Sequence, residues 1–299
     1  MKKLACLILT KDESIHIERA IKNIKSLDCD VVVCDSYSSD NTIDLAKEND
    51  VIIYQNHFIN HSSQLNWAID KIRDNYEWIL RLDADEIIDK KLGNSIKEFL
   101  NSKLSNEFDG CFLNRRIAFQ GKEIKWGGLF PSPNLRLFRS SKGRSEERWM
   151  DEHIIVNGDT MNLEGELIDK NLSSVSKWID KHNGYASKEV IDILVNSAKT
   201  NLNKEVMLSL SKQSRIKRFF KYKLYYKLPF GFRPLLYFLY RYFVRLGFLD
   251  GVIGSQFHFL QGFWYRYLVD VKLYLFLREK KNSNKELNEL IYEKFDIRL

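Results

Sequence analysis

Long apolar runs, glycine-rich phosphate loops, metal-spaced cysteines and, over one stretch, carboxylates are what this 299-residue sequence does without. No uncharged apolar run approaches the roughly 18 residues of a membrane span, so no spanning helix is expected. The start, Met1-Lys2-Lys3-Leu4-Ala5-Cys6-Leu7-Ile8-Leu9-Thr10, imitates a signal peptide. Its apolar part is short, however, and runs into Lys11-Asp12-Glu13 with no small-residue cleavage site, so it reads as a first buried strand. Neither G-x-G-x-x-G nor G-x-x-x-x-G-K-[ST] occurs, which argues against a dinucleotide dehydrogenase, a P-loop enzyme or a nucleotidyltransferase. Cys6, Cys29, Cys34 and Cys111 lie in or beside predicted strands without metal-ligand spacing, as small apolar residues of a reducing compartment do. Low-complexity tracts and internal repeats are also missing. Net charge is +7, and from Lys212 to Arg245 the basic residues meet no carboxylate, whereas the first half mixes signs. That asymmetry implies an anionic surface as partner.

The length suffices for one catalytic domain plus an appendage. Lys3 to Leu9 is a continuous apolar strand, after which Ile17, Ala20, Ile21 and Ile24 fall at helical spacing. Val31 to Cys34 gives a second strand and Ile43 to Asn49 a short helix; Val51 to Tyr54 is a third strand, and a helix through Trp67, Ala68 and Ile72 leads to a fourth at Trp78. Strands alternating with helices predict a doubly wound, Rossmann-like α/β domain on a parallel sheet. In such a sheet the loops after the strands face one crevice. The loops at Thr10–Glu13 and Asp35–Asp40 and the turn at Asp83–Asp85 are therefore expected to converge on one ligand.

The stretch Trp78-Ile79-Leu80-Arg81-Leu82-Asp83-Ala84-Asp85-Glu86 drives an apolar strand into three carboxylates in four residues. Alternate residues of a strand share a face, so Asp83 and Asp85 can both reach a divalent cation and the ribose and diphosphate it clamps. The bland alternative is a solvated acidic turn. Similarly, Asp35 is either a ligand or an Asx-turn residue, Asp40 reads as an N-cap, and Gln64 and Asn66 are either site residues or the surface of a helix start. Thr10 and Glu13 are read as a capping pair that also lines the site.

Taken in order, Thr10-Lys11-Asp12-Glu13, Val33-Cys34-Asp35-Ser36-Tyr37-Ser38-Ser39-Asp40-Asn41-Thr42, Gln64-Leu65-Asn66-Trp67-Ala68 and Leu82-Asp83-Ala84-Asp85-Glu86 resemble a family 2 inverting glycosyltransferase of the GT-A fold. The nearest branch includes lipopolysaccharide-core and capsule or exopolysaccharide sugar transferases. The resemblance covers about the first 170 residues. It implies a nucleotide-sugar donor, usually a UDP-sugar, bound by Thr10, Asp12, Glu13, Asp35, Ser36, Gln64, Asn66, Arg81, Asp83 and Ala84. It also implies Asp35 on the uracil or ribose side, Asp83 near the ribose, and Asp85 as the main protein ligand of Mn²⁺ or Mg²⁺.

Beyond Asp89 a helix through Leu92, Ile96 and Phe99 is expected, then an extended strand from Gly110 to Phe119. Trp126, in a glycine-rich loop, is either a sugar-stacking platform or a loop anchor. Arg136 and Arg139 on a short strand are candidates for holding a donor or acceptor phosphate, with a plain surface strand as the alternative. In Trp149-Met150-Asp151-Glu152-His153, an inverting transfer needs one carboxylate to take the acceptor hydroxyl proton. Related transferases place a His-Glu pair where Asp151-Glu152 stands, so Glu152 is the expected base, with Asp151 as understudy. His153 is either a structural histidine or a second metal ligand. Trp178 and His182, one helical turn apart, either touch the acceptor or simply pack.

From Arg215 to Gly251, aromatic and aliphatic residues interleave with Lys and Arg and are broken by Pro229 and Pro234. This predicts amphipathic helices in a membrane interface rather than a single-stranded nucleic-acid site, with a packed helical domain as the plain alternative. The expectation is thus a GT-A catalytic domain over residues 1–170 and a helical acceptor-side, membrane-associating region over 171–299. The expected enzyme is cytoplasmic, peripheral at the inner face of the cell membrane. It moves a sugar to a glycolipid or lipid-linked oligosaccharide, with no nucleic-acid partner. Transfer to a polyprenyl phosphate, or a non-catalytic adaptor on the same scaffold, are the alternatives.

Overall fold

The computed structural model describes residues 2–150, 152–196, 211, 213, 215, 216, 220 and 225–297. Asp151 and most of the basic residues between Lys212 and Lys223 lie outside them. The chain forms two compact units, one built on Met1–Lys125, Leu129–Ser173 and Asn203–Ile216, the other on Trp126–Gly128, Ser174–Leu202 and Lys217–Leu299.

The first unit starts with β1 (Lys2–Thr10), α1 (Ile17–Ile24), β2 (Asp30–Asp35), α2 (Thr42–Lys47), β3 (Ile52–Gln55), α3 (His61–Ile72) and β4 (Tyr76–Asp83). Leu4, Cys6 and Ile8 face one core with α1, while Ala5 and Leu7 face the other with Leu65, Ala68, Ile69 and Ile72 of α3. A strand sends alternate side chains to opposite faces, so a continuous apolar run belongs where both faces are covered. Then come β5 (Glu86–Ile88), α4 (Lys90–Asn101), α5 (Leu104–Glu107), β6 (Gly110–Phe119), β7 (Lys122–Glu123), β8 (Pro133–Arg139), β9 (Arg144–Ser145), β10 (Ile154–Ile155) and β11 (Thr160–Lys170).

The large sheet runs β3-β2-β1-β4-β8-β6-β11-β5, with β7 on β6. The expected parallel pairing holds across β3, β2, β1 and β4. Beyond them the sheet is mixed: β8 is antiparallel to β4 and β6, and β5 is antiparallel to β11. The chain leaves β4 by a two-residue turn at Ala84-Asp85 into β5, which pairs with β11 and not with β4. Cys6, Cys34 and Cys111 are buried and Cys29 partly so, all as free thiols.

The second unit contains α6 (Val175–Asn196), α7 (Phe232–Leu239) running on into a π-helical turn at Tyr240–Val244, α8 (Gly251–Phe257), a second π turn at His258–Trp264, α9 (Tyr265–Asn282) and α10 (Leu287–Phe295). Ala186 and Val190 of α6 pack on Tyr265, Val269 and Leu273 of α9. Two members of the basic stretch do not face outward. Arg233 is 3% exposed and Arg241 1% exposed. Arg233 donates to Asp270 Oδ1 through Nε at 2.8 Å, and the same carboxylate accepts the Gly231 N–H at 2.9 Å. A buried guanidinium is tolerated because its charge is met and its donors are used. Among the described residues no helix is long and apolar enough to cross a membrane.

Candidate active site

In the parallel part of the sheet, Thr10 pairs with Asp35 and Leu9 with Asp83, so the last residues of β1, β2 and β4 end side by side. With strands about 4.8 Å apart, Asp35 and Asp83 stand on the order of 10 Å from each other across β1. Asp35 is fully buried. It accepts Thr10 Oγ1 at 3.0 Å, the Ser38 N–H at 2.8 Å and Ser38 Oγ at 2.5 Å. Gln64, also buried, donates to Ser36 Oγ at 3.1 Å and accepts from Asn56, bracing the same loop.

The loops after β1 and β2 are sewn together. Asp12, at φ 55, accepts the Ser39 N–H at 2.7 Å and donates its own N–H to Ser38 Oγ. The Ser39 backbone bond holds the Asp12 carboxyl below its ordinary range. Asp40 accepts from the Thr42 backbone and hydroxyl and from Ser14 N, and these bonds outweigh burial to bring it down to about 2. The Thr10–Glu13 capping pair does not form: Thr10 turns to Asp35, while Glu13 meets His16 Nδ1 at 2.6 Å, and α1 has no side-chain cap.

At the end of β4, Asp83 Oδ1 accepts from Arg81 at 2.7 Å and its Oδ2 accepts from Arg136 at 3.2 Å. Glu86, fully buried, accepts the Asp83 N–H and a 2.7 Å bond from Arg136, with Arg115 at 3.2 Å. Burial, reinforced by the Asp83 charge, pushes the Glu86 carboxyl well above its ordinary range. Ala84 is buried in the apolar core that includes Ile17 and Ile21 of α1. Asp85 accepts from Asn171 at 2.9 Å through Oδ2 alone, and its main-chain oxygen accepts from Arg19. Among the described residues, one Asp85 carboxylate oxygen is thus without a hydrogen bond. That fits the mode in which Mg²⁺ or Mn²⁺ takes one carboxylate and completes its shell with substrate phosphates and water. Among the described residues no three His, Cys, Asp or Glu side chains gather for a metal.

His61, the first residue of α3, ties this edge to Glu152. Its Nε2 lies 3.0 Å from Arg81 Nη2 and 3.9 Å from Asp83 Oδ1, and its Nδ1 lies 2.7 Å from Glu152 Oε1. A guanidinium only donates, so Nε2 accepts and the ring proton sits on Nδ1, which contacts Glu152 Oε1 as a charge neighbour without the alignment of a hydrogen bond. Burial alone would raise the Glu152 carboxyl, but His61 and the Arg81 charge outweigh it and bring the carboxyl below its ordinary value. The strand pair β9–β10 that precedes and follows Glu152 is clamped to α3: Asn66 exchanges two hydrogen bonds with the Ser145 backbone, and Ser62 donates to Glu146 O. Asn66 therefore braces that ribbon.

Of the two strand arginines, only Arg136 is at this edge. Arg139 pairs with Trp78 at the opposite end of β4, donates to Phe108 O and lies 3.3 Å from Asp109, because β8 runs antiparallel to β4 and each step along it moves away from Asp83. Trp126, Trp178 and His182 fall in the second unit. Asp250 anchors the Trp126 N–H at 3.1 Å, and the Trp126 ring is 41% exposed. Trp178 stacks on His182 with centroids 3.5 Å apart, and His182 Nδ1 donates to Trp178 O, as in a packed aromatic cluster. Sequence reasoning missed His61 and Arg115 and gave Glu86 no role beyond its place in the acidic cluster; a lone histidine in a polar stretch carries no signal without its neighbours in space.

The family model for Glycosyl transferase family 2 matches residues 6–162. An uncharacterized glycosyltransferase of Rickettsia prowazekii is 24% identical over 298 residues, 95% of this chain and 98% of its own. The lipopolysaccharide core biosynthesis glycosyltransferase LpsC of Rhizobium meliloti is 24% identical over 271 residues, 86% of this chain and 89% of its own. Among solved structures, S. aureus TarS 1–349 in complex with UDP-GlcNAc is a remote likeness at TM-score 0.46 and 12% identity, over 95% of this chain and 93% of that one. The mannosyltransferase PcManGT of Pyrobaculum calidifontis in complex with GDP-Man and Mn²⁺ scores 0.45 at 14% identity, over 91% and 87%. Because the family model spans more than half of the sequence, including every aspartate aligned at this sheet edge, the chain belongs to glycosyl transferase family 2 and is a glycosyltransferase with an α/β, GT-A nucleotide-sugar-binding fold.

Proposed function

We propose that the protein transfers a sugar, with inversion, from a nucleotide-sugar donor, a UDP-sugar, to a membrane-associated glycolipid or lipid-linked oligosaccharide. The observation that carries this reading is the run Asp83, Arg81, His61, Glu152, in which one imidazole spans the distance from the carboxyl edge of the sheet to an ionised carboxylate. The donor lies along the edge from Asp35 to Asp83. Asp85 would hold a divalent cation together with the donor diphosphate, and such a cation, when bound, neutralises charge on the leaving nucleotide.

Glu152 accepts the proton of the acceptor hydroxyl while that oxygen bonds to the anomeric carbon and the bond from this carbon to the diphosphate oxygen breaks. Its lowered pKa keeps it ionised at neutral pH, which a base requires. His61 lies against Glu152 Oε1, so the other carboxylate oxygen would take the hydroxyl proton. Arg136 and Arg81 hold Asp83 in place against the ribose. The name of the rhizobial relative supports an acceptor of the lipopolysaccharide-core kind, and with it a site of action at the inner face of the cell membrane.

The test is a panel of nucleotide sugars with Mn²⁺ or Mg²⁺, scored by mass spectrometry for released nucleotide and for glycosylated lipid. One UDP-sugar should be turned over well above the rest. Glu152→Gln should keep donor binding while losing roughly 10²- to 10⁴-fold in turnover. Normal turnover by that variant would remove Glu152 from the role of base.

A further inference from the structure

Helix α7 and its π-helical continuation are built inside out. Phe232, Leu235, Leu236, Leu239, Phe243 and Val244 recur at helical spacing and are all exposed, while Arg233 and Arg241 on the other side are buried. A helix facing water shows the reverse distribution, with its apolar stripe turned in. The chain then continues outward. Val244 is 68% exposed and Val252 76%, with Leu246, Phe248 and Leu249 exposed between them.

This apolar loop is held in place by buried polar groups. Leu246 adopts a left-handed backbone, φ 58, which a branched residue resists. Gly247 beside it lies so close to His258 and the Arg241 carbonyl that a Cβ would come within 2.9 Å of both. Arg241 donates to His258 Nδ1 at 3.0 Å, and His258 Nε2–H faces Asp250 Oδ2 at 3.1 Å. Asp250 in turn fixes the Trp126 N–H, and Arg245 O accepts from Gly127. Polar groups inside thus support an apolar surface outside.

We infer that this face, from Phe232 to Val252, docks on an anionic lipid bilayer and sinks its apolar side chains to the boundary between headgroups and acyl chains. Lipid is preferred over a second copy on charge. No carboxylate stands in the sequence between Glu205 and Asp250, and the exposed cations Lys227 and Arg245 lie just before and within the apolar stretch. Two such faces together would oppose like charges, whereas anionic headgroups complement them. The inference deepens the reading of a membrane-bound acceptor by naming the surface that meets the membrane. It does not depend on catalysis, since vesicle binding needs no donor sugar.

The full-length protein should co-sediment with vesicles of phosphatidylcholine plus phosphatidylglycerol, and much less with phosphatidylcholine alone. Val244→Asp and, separately, Val252→Asp should each lower the bound fraction about tenfold or more. Leu104→Asp, an equal change on an exposed residue of the first unit, should leave it unchanged. Hydrolysis of a soluble nucleotide sugar should be unaltered in all three variants, which separates a failure here from a failure of the sugar-transfer reading. Wild-type binding by both valine variants would overturn the inference. So would light scattering that finds a dimer dissociated by Val244→Asp, which would assign the face to a second copy.

Discussion

The two units of this chain use buried charge for opposite ends. In the first, Glu86, Arg115, Arg136 and Asp83 gather where the parallel strands end, and the buried charges lie beside the groups that would meet a substrate. In the second, Arg233–Asp270 and Arg241–His258–Asp250 lie inside a helical body whose outer face is apolar. Buried ion pairs seldom add stability over apolar packing, though removing one partner is costly. Under the proposed function the first cluster serves chemistry at its edge. The second is explained by geometry: the cations are drawn inward so that phenylalanine, leucine and valine can be turned out.

The largest effect that would sharpen this contrast is in stability. Asp270→Asn should cost about 3–5 kcal/mol, because it leaves Arg233 buried without a countercharge, and Arg233→Met with Asp270→Leu should recover most of that loss in chemical denaturation. Glu86→Gln should cost distinctly less, since Arg136 keeps Asp83 and Arg115 keeps Asp169. Equal losses from both single changes would break the comparison.

Next in size is a kinetic effect confined to the first unit. His61→Phe should lower kcat on the order of ten- to a hundredfold with donor KM unchanged, because Glu152 loses the group that orients it. His61→Gln, which can still donate, should recover part of the rate. Unaltered kcat in steady-state assays of the phenylalanine variant would reduce His61 to a packing residue.

The smallest effect is a pH slope in the second unit. Burial lowers the His182 pKa from 6.5 to about 4, partly opposed by its bond to Trp178 O. Between these values the unfolded chain binds the proton that the folded chain refuses, so stability falls as pH drops from about 6.5 toward about 4. Thermal melts should show this slope, and His182→Phe should flatten it.

Much of the first unit was legible because its strands are short apolar runs bounded by polar loops and its helices repeat at i, i+3 and i+4. Gly110–Phe119 emerges as read, and Ile17, Ala20, Ile21 and Ile24 all face the core. The site was legible only as a set of strand ends. That Asp35 would be saturated by Thr10 and Ser38, or that Arg139 would sit at the far end of β4, depends on neighbours distant in sequence. The basic stretch misled for a similar reason: composition counts charges, and whether Arg233 faces water or Asp270 is a matter of rotation about a helix axis.

The order of strands and loops, the aspartates that close them and the excess of cations before Asp250 were determined by the sequence itself, because periodicity and turn chemistry act over a few residues. The link from Asp83 through His61 to Glu152, and the turning of arginines inward beneath an apolar face, were decided only by the tertiary structure. A histidine acquires direction from an arginine 20 residues away and a carboxylate 91 residues away, and no local pattern records that meeting.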